Sequence, residues 1–130
     1  MKVLVIDIGD NYEYLYRKKL NPSKFDIDFI SKTSDLENKL QKYTYELLLV
    51  GHYLKKSSGK EICDKARRLG YTGNIIIMAP GNHLKQIQEL YTTSITGVMN
   101  KASNTEDFTK EINKFIKKFK YMGEQNVPTA

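Results

Sequence analysis

The chain has 130 residues, of which 40% are hydrophobic and 28% charged, with a net charge of +6; this is the profile of one globular domain and excludes a disordered chain. No apolar run approaches the about 20 residues that a membrane-spanning helix requires. A single cysteine, Cys63, permits neither an internal disulfide nor a multi-cysteine metal centre. The start, Met1 to Ile6, runs straight into a strand pattern without the parts of a signal peptide, so a cytoplasmic location is expected.

Along the chain, strand and helix patterns alternate. Val3 to Asp7 is an apolar run ending in an acid, and reads as a strand. A helix follows over Asp10 to Leu20, with Tyr12, Leu15, Tyr16 and Lys19 on one face, and Asn21-Pro22-Ser23 stops it. Phe25 to Ile30 alternates apolar and acidic residues, as a strand near a sheet edge does. Ser34-Asp35-Leu36-Glu37 has the form of a capping box and opens a second helix, which runs to about Lys42.

Leu47 to Val50 is the third strand, and the loop His52 to Ser57 leads to a second capping box, Ser58-Gly59-Lys60-Glu61. The third helix turns Ile62, Ala66 and Leu69 inward and ends at Gly70. Ile75 to Met78 is the fourth strand, His83 to Tyr91 a short helix, and Ile95 to Met99 a fifth strand weakened by Gly97. A third capping box, Ser103-Asn104-Thr105-Glu106, opens a last helix with the apolar stripe Phe108, Ile112, Phe115, Ile116 and Phe119. Residues 1–120 thus form one domain, and 121–130 lack periodicity and read as a flexible tail or linker.

Continuous apolar strands joined through helices require a parallel sheet covered on both faces. Right-handed crossovers then favour an α/β, doubly wound, flavodoxin-like (βα)5 fold of strand order 2-1-3-4-5. Ligands of such folds sit at the carboxyl ends of the strands, here Asp7 to Asp10, Gly51 to Ser58, Ala79 to Asn82 and Asn100 to Ala102.

Over about residues 2–119, this order and spacing resembles the receiver domains of two-component response regulators. Val5-Ile6-Asp7 resembles the acid-bearing end of the first strand, Ser58-Gly59-Lys60-Glu61-Ile62 the glycine-led start of the third helix, and Gly97-Val98-Met99-Asn100-Lys101 the segment that carries the family's lysine. The resemblance implies bacterial two-component signalling. In a working receiver an aspartate ending the third strand accepts a phosphoryl group beside a carboxylate-held magnesium ion. The lysine and a Ser or Thr hydroxyl contact the phosphoryl oxygens, and an aromatic residue on the fifth strand changes position in response.

Against that pattern this chain has gaps. Counting back from Gly59 puts Gly51 at the phosphoacceptor position. Ile8 falls where the second acid of the family's pair stands, Ala79 where the hydroxyl stands, and Val98 where the switch aromatic stands. Asp7 and Lys101 remain of the pocket, and an ion pair between them is the expected structural use. One carboxylate is a poor cage for magnesium, which wants several oxygen ligands. The expectation is therefore no catalysis, no metal and no cofactor: a pseudo-receiver that signals without phosphorylation by binding another protein.

In receivers the fourth helix, fifth strand and fifth helix form the output and homodimer surface. Here that surface nominates Lys85, Glu89, Tyr91, Asn100, Lys110 and Lys114 as partner-binding residues. The alternative is a nucleic-acid- or anion-binding module using the basic stretch Lys55 to Arg68 and the lysine-rich last helix. No recognition-helix or aromatic-basic RNA motif supports it, so nucleic acid is not the expected partner.

Gly51 to Lys60 fails as a phosphate-binding loop. Seven residues separate Gly51 from Gly59, and Glu61 replaces the required hydroxyl residue. His52 and His83 stand apart from each other and from Cys63, which makes a poor metal set. Cys63 reads as a partly buried small apolar residue. The nine tyrosines include Tyr12, Tyr14 and Tyr16 within one helix, which cannot all face inward.

Overall fold

The computed structural model describes residues 1–8, 12–54, 57–81, 83–101 and 108–115. Five strands form one parallel sheet: β1 (Lys2–Ile6), β2 (Asp26–Ile30), β3 (Leu47–Gly51), β4 (Asn74–Ala79) and β5 (Gly97–Asn100), in the order β2-β1-β3-β4-β5. The expected doubly wound, flavodoxin-like sheet is thus the observed one. Between the strands lie α1 (Tyr12–Lys19), α2 (Leu36–Lys42), α3 (Gly59–Arg68) and α4 (Leu84–Glu89); residues 108–115 are helical as well and are called α5.

The pleat divides the core in two. Leu4, Ile6, Leu48, Val50, Ile75 and Ile77 point to the face covered by Leu36 of α2, Ile62, Cys63 and Ala66 of α3, and Ile87 of α4. Their neighbours Val3, Val5, Leu47, Leu49, Ile76 and Met78 point to the other face, where Tyr16 of α1 and Phe108 and Ile112 of α5 cover them. The central strands are therefore buried on both sides, which is why they read as continuous apolar runs rather than alternating ones. β2, at the edge, carries Asp26 and Asp28, and Lys2 pairs with both.

Local signals held unevenly. At α3 the Ser58 hydroxyl accepts from the Glu61 amide at 3.3 Å, so half of that capping box forms, but the Glu61 carboxylate turns to the Ser57 hydroxyl. The box at Ser34 does not form: Thr33–Asp35 is a 3₁₀ turn and α2 starts at Leu36, with Asp35 as an N-cap that makes no side-chain bond. Leu15, expected on the inner face of α1, is 49% exposed, while Tyr16 carries the burial. Eight residues of helix bury a narrow stripe, in which Tyr16 is buried and Tyr12 and Lys19 are half-buried. The box at Ser103 to Glu106 and the tail over 121–130 lie outside the described residues.

Gly97 does not interrupt β5. A β-carbon there would stand 2.4 Å from the Phe115 ring, so the missing side chain is what lets α5 close onto the sheet.

Candidate functional site

β1 delivers Asp7 to the carboxyl edge of the sheet, where its side chain is fully buried. Three donors hold it. The Tyr16 hydroxyl donates to Oδ2 at 2.7 Å, the Ile8 amide donates to Oδ1 at 2.8 Å, and Lys101 Nζ lies 2.7 Å from Oδ2. An isolated buried carboxylate is costly, and a charge-assisted set of this kind offsets that cost.

Each partner is itself positioned by the fold. Tyr16 reaches inward from α1 and stacks edge-to-face on Phe108, with ring centroids 6.3 Å apart. Burial, then the Asp7 charge, hold its phenol well above the ordinary range, so it remains a donor. The Lys101 amide donates to the Ala79 carbonyl at 2.8 Å, which extends the β4–β5 pairing and fixes where the lysine begins. Lys19 Nζ donates to the Lys101 carbonyl at 2.6 Å. Burial, and then the Lys101 ammonium, lower the Lys19 pKa.

The Asp7 carboxylate lies over Gly51. A β-carbon at Gly51 would be 2.5 Å from Asp7 Oδ1, 2.8 Å from Cγ and 3.3 Å from Oδ2. Real β-carbons do not approach other atoms so closely, so no side chain fits at Gly51 while Asp7 is held in this way. Of the other pocket positions, Ala79 and Val98 are buried, and Ile8 is half-exposed beside Asp7.

This arrangement does not fit a hard divalent cation. Such an ion needs several free oxygen ligands, whereas both Asp7 oxygens accept from protein donors and one faces an ammonium group. Among the described residues no cluster of three His, Cys, Asp or Glu side chains exists that could hold a metal. Asp10 lies outside the described residues.

A second constellation begins one residue further on. His52 Nδ1 is 2.8 Å from the Tyr91 hydroxyl, and its ring meets Tyr53 edge-on at 4.6 Å between centroids. A β-carbon on Gly59 would strike the Tyr91 hydroxyl at 2.5 Å and the Gly51 carbonyl at 2.8 Å. Glycine at the start of α3 thus permits the close approach of β3, α3 and the end of α4. Burial lowers the His52 pKa, and burial raises the Tyr91 phenol.

Tyr91 was expected as a partner-binding residue. It is half-buried and packs against the core beneath α3 and α4. Lys85 and Glu89 on α4 and Lys110 and Lys114 on α5 are exposed, and Asn100 at the end of β5 is half-buried. Two of the basic residues of the third helix are engaged with backbone carbonyls, while Arg68 is exposed. The Arg67 guanidinium donates to the carbonyls of Tyr71, Gly73 and Ser94 at 2.8, 3.0 and 2.9 Å, and Lys65 donates to the Thr33 carbonyl at 3.3 Å. Lys55 and Lys56 lie outside the described residues.

Sequence reading missed Tyr16 and Lys19 as members of the strand-end cluster. Tyr16 shares a helix with Tyr12 and Tyr14, and nothing in the periodicity says which hydroxyl meets the acid. Cys63 is fully buried, and burial pushes its thiol up to about 12, so it is a core residue.

No protein-family model matches this sequence, and no curated protein does. Solved structures do match. The chemotaxis response regulator CheY4 of Vibrio cholerae is 17% identical over 88% of this chain and 97% of that one, with a TM-score of 0.76. The signal receiver domain of an HD domain-containing protein from Pseudomonas fluorescens Pf-5 is 13% identical over 89% and 94%, with a TM-score of 0.75. A two-component response regulator from Clostridium difficile is 20% identical over 92% and 98%, with a TM-score of 0.71. No helix among the described residues is long and apolar enough to cross a membrane. The chain therefore has the fold of response-regulator receiver domains.

Proposed function

We propose that this chain is a receiver-type signalling domain that works without phosphoryl transfer, by binding another protein. The observation that carries the reading is the Asp7 carboxylate seated over Gly51 and held there by Tyr16, Lys101 and the Ile8 amide. A phosphoryl acceptor needs a free carboxylate at the end of β3, and here that space is filled by the acid of β1. The scaffold is otherwise whole: five strands, both helical layers and the lysine after β5. An intact scaffold around a filled pocket favours a surface function. The exposed residues Lys85 and Glu89 of α4 and Lys110 and Lys114 of α5 are the candidate contacts, on the elements that serve receivers as output surface.

The test is incubation with acetyl phosphate and magnesium, followed by intact mass measurement. An unchanged mass is expected. Addition of one phosphoryl group in stoichiometric amount would overturn the reading.

A further inference from the structure

A groove of about 620 Å³ opens at the carboxyl ends of β1 and β2, beside the loop that follows β3. Its floor is apolar, made by Ile6, Ile8 and Leu54. Its wall includes Ser31, Lys32 and Ser34 from the segment between β2 and α2. We infer that this groove binds a small organic phosphate, with an apolar ring-bearing body on the floor and the phosphate against Lys32 and the serine hydroxyls.

Four observations lead there. The groove lies at the carboxyl edge of the sheet, the edge on which doubly wound folds place ligands, on the β2 side of the reversal between β1 and β3. The volume lies within the roughly 300–1,000 Å³ of small-molecule sites, and an apolar floor with a few convergent polar groups is their usual composition. Among the described residues, the Ser31, Lys32 and Ser34 side chains make no hydrogen bond or ion pair, so their donors are available. Lys32 is the one charged side chain among the described lining residues; Ser57, also on the lining, turns its hydroxyl to the Glu61 carboxylate at 3.0 Å. Free ammonium and hydroxyl donors on one wall favour an anion there. The apolar floor excludes bare inorganic phosphate as the preferred ligand, because Ile8 and Leu54 would be left wet.

The groove is distinct from the Asp7 cluster but touches it. Ile8 lines the groove, and its amide donates to Asp7 Oδ1. A ligand seated on Ile8 therefore presses on one of the three groups that hold the buried acid. This inference does not depend on the absence of phosphoryl transfer, and the two fail separately.

The test is titration of the full chain with two monophosphates of different ring body, flavin mononucleotide and adenosine monophosphate, by calorimetry and amide chemical shifts. Riboflavin, adenosine and inorganic phosphate serve as controls. Saturable binding of at least one monophosphate is expected, with shifts centred on Ile6, Ile8 and Ser31 to Ser34. Riboflavin or adenosine, each lacking the phosphate, should bind at least about tenfold more weakly than its monophosphate, the effect of one charge-assisted bond. Lys32→Glu, an exposed change that leaves the unfolding midpoint in place, should weaken binding by a similar factor, and Leu54→Asp should do so from the floor. Binding of neither monophosphate up to about 1 mM, the weak end of specific affinity, would overturn the inference. Shifts centred on another surface, or affinity indifferent to Lys32→Glu, would also overturn it.

Discussion

A β-carbon at Gly51 would lie 2.5 Å from Asp7 Oδ1, so the acid at the end of one strand occupies the space a side chain on its neighbour would need. The two positions exclude each other. Gly51→Ala should therefore destabilise by roughly 1–3 kcal/mol, the usual effect of overpacking a closed site. Gly51→Asp should cost more, because it adds a like charge against a buried carboxylate, and it should still take up no phosphoryl group from acetyl phosphate. Urea unfolding and intact mass check both. Asp7→Ala added to Gly51→Asp removes the clash and should recover part of the lost stability.

The groups that hold Asp7 can be ranked. Tyr16→Phe deletes one hydrogen bond to a charged acceptor and should cost about 1.5–3 kcal/mol. Lys101→Met leaves the carboxylate without its cation. Removing one partner of a fully enclosed pair costs roughly 3–5 kcal/mol, and the Lys101 side chain is 36% exposed, so about 2–3 kcal/mol is expected here. In an Asp7→Asn background the same Lys101→Met change should cost less than half as much. Equal costs in the two backgrounds would show that the ion pair contributes nothing.

His52 gives the stability a pH dependence of defined sign. Burial lowers its pKa in the folded chain, while the unfolded chain keeps the ordinary value of about 6.5. Above that value both states are neutral and the contribution is present in full. As pH falls through it the unfolded state takes up the proton first, and stability is lost until the folded pKa is passed. Between about pH 8 and pH 5 the unfolding midpoint of the parent chain should therefore fall further than that of His52→Asn. The His52 ring should also titrate below about 6.5 by NMR.

Gly97 makes a steric prediction on the opposite face. With a β-carbon 2.4 Å from the Phe115 ring, Gly97→Ala should cost roughly 1–3 kcal/mol. Phe115→Leu makes room for it, so the double variant should be more stable than the two single losses added together by at least about 0.5 kcal/mol. Strict additivity in urea unfolding would show that the ring simply moves aside.

Capping and burial show where sequence reading is sound and where it fails. The strands were legible because central parallel strands are buried on both faces, and Leu47 to Val50 and Ile75 to Met78 have no other use. The Ser58 cap was legible because it precedes a helix with a clear apolar stripe. The Ser34 cap was not, because the chain enters α2 through a 3₁₀ turn, and whether a turn tightens depends on what it packs against. Tyr91 is at helical spacing from Leu84 and Ile87, which favours the inner face, whereas its place on the receiver output surface favoured the outer one. It turns in because Gly59 leaves space for its hydroxyl and His52 offers a nitrogen, and these come from another part of the chain.

By itself the sequence determined the order of elements, the strand order and the absence of a side chain at Gly51, at the end of the third strand, since a missing side chain is a local fact. Only the tertiary structure decided what became of the space. Asp7, Tyr16 and Lys101 come from a strand end, a helix and a distant loop, and their meeting depends on how far α1 is rotated and where β5 ends against β4. Those quantities are set by packing across the sheet, which no periodicity along the chain encodes.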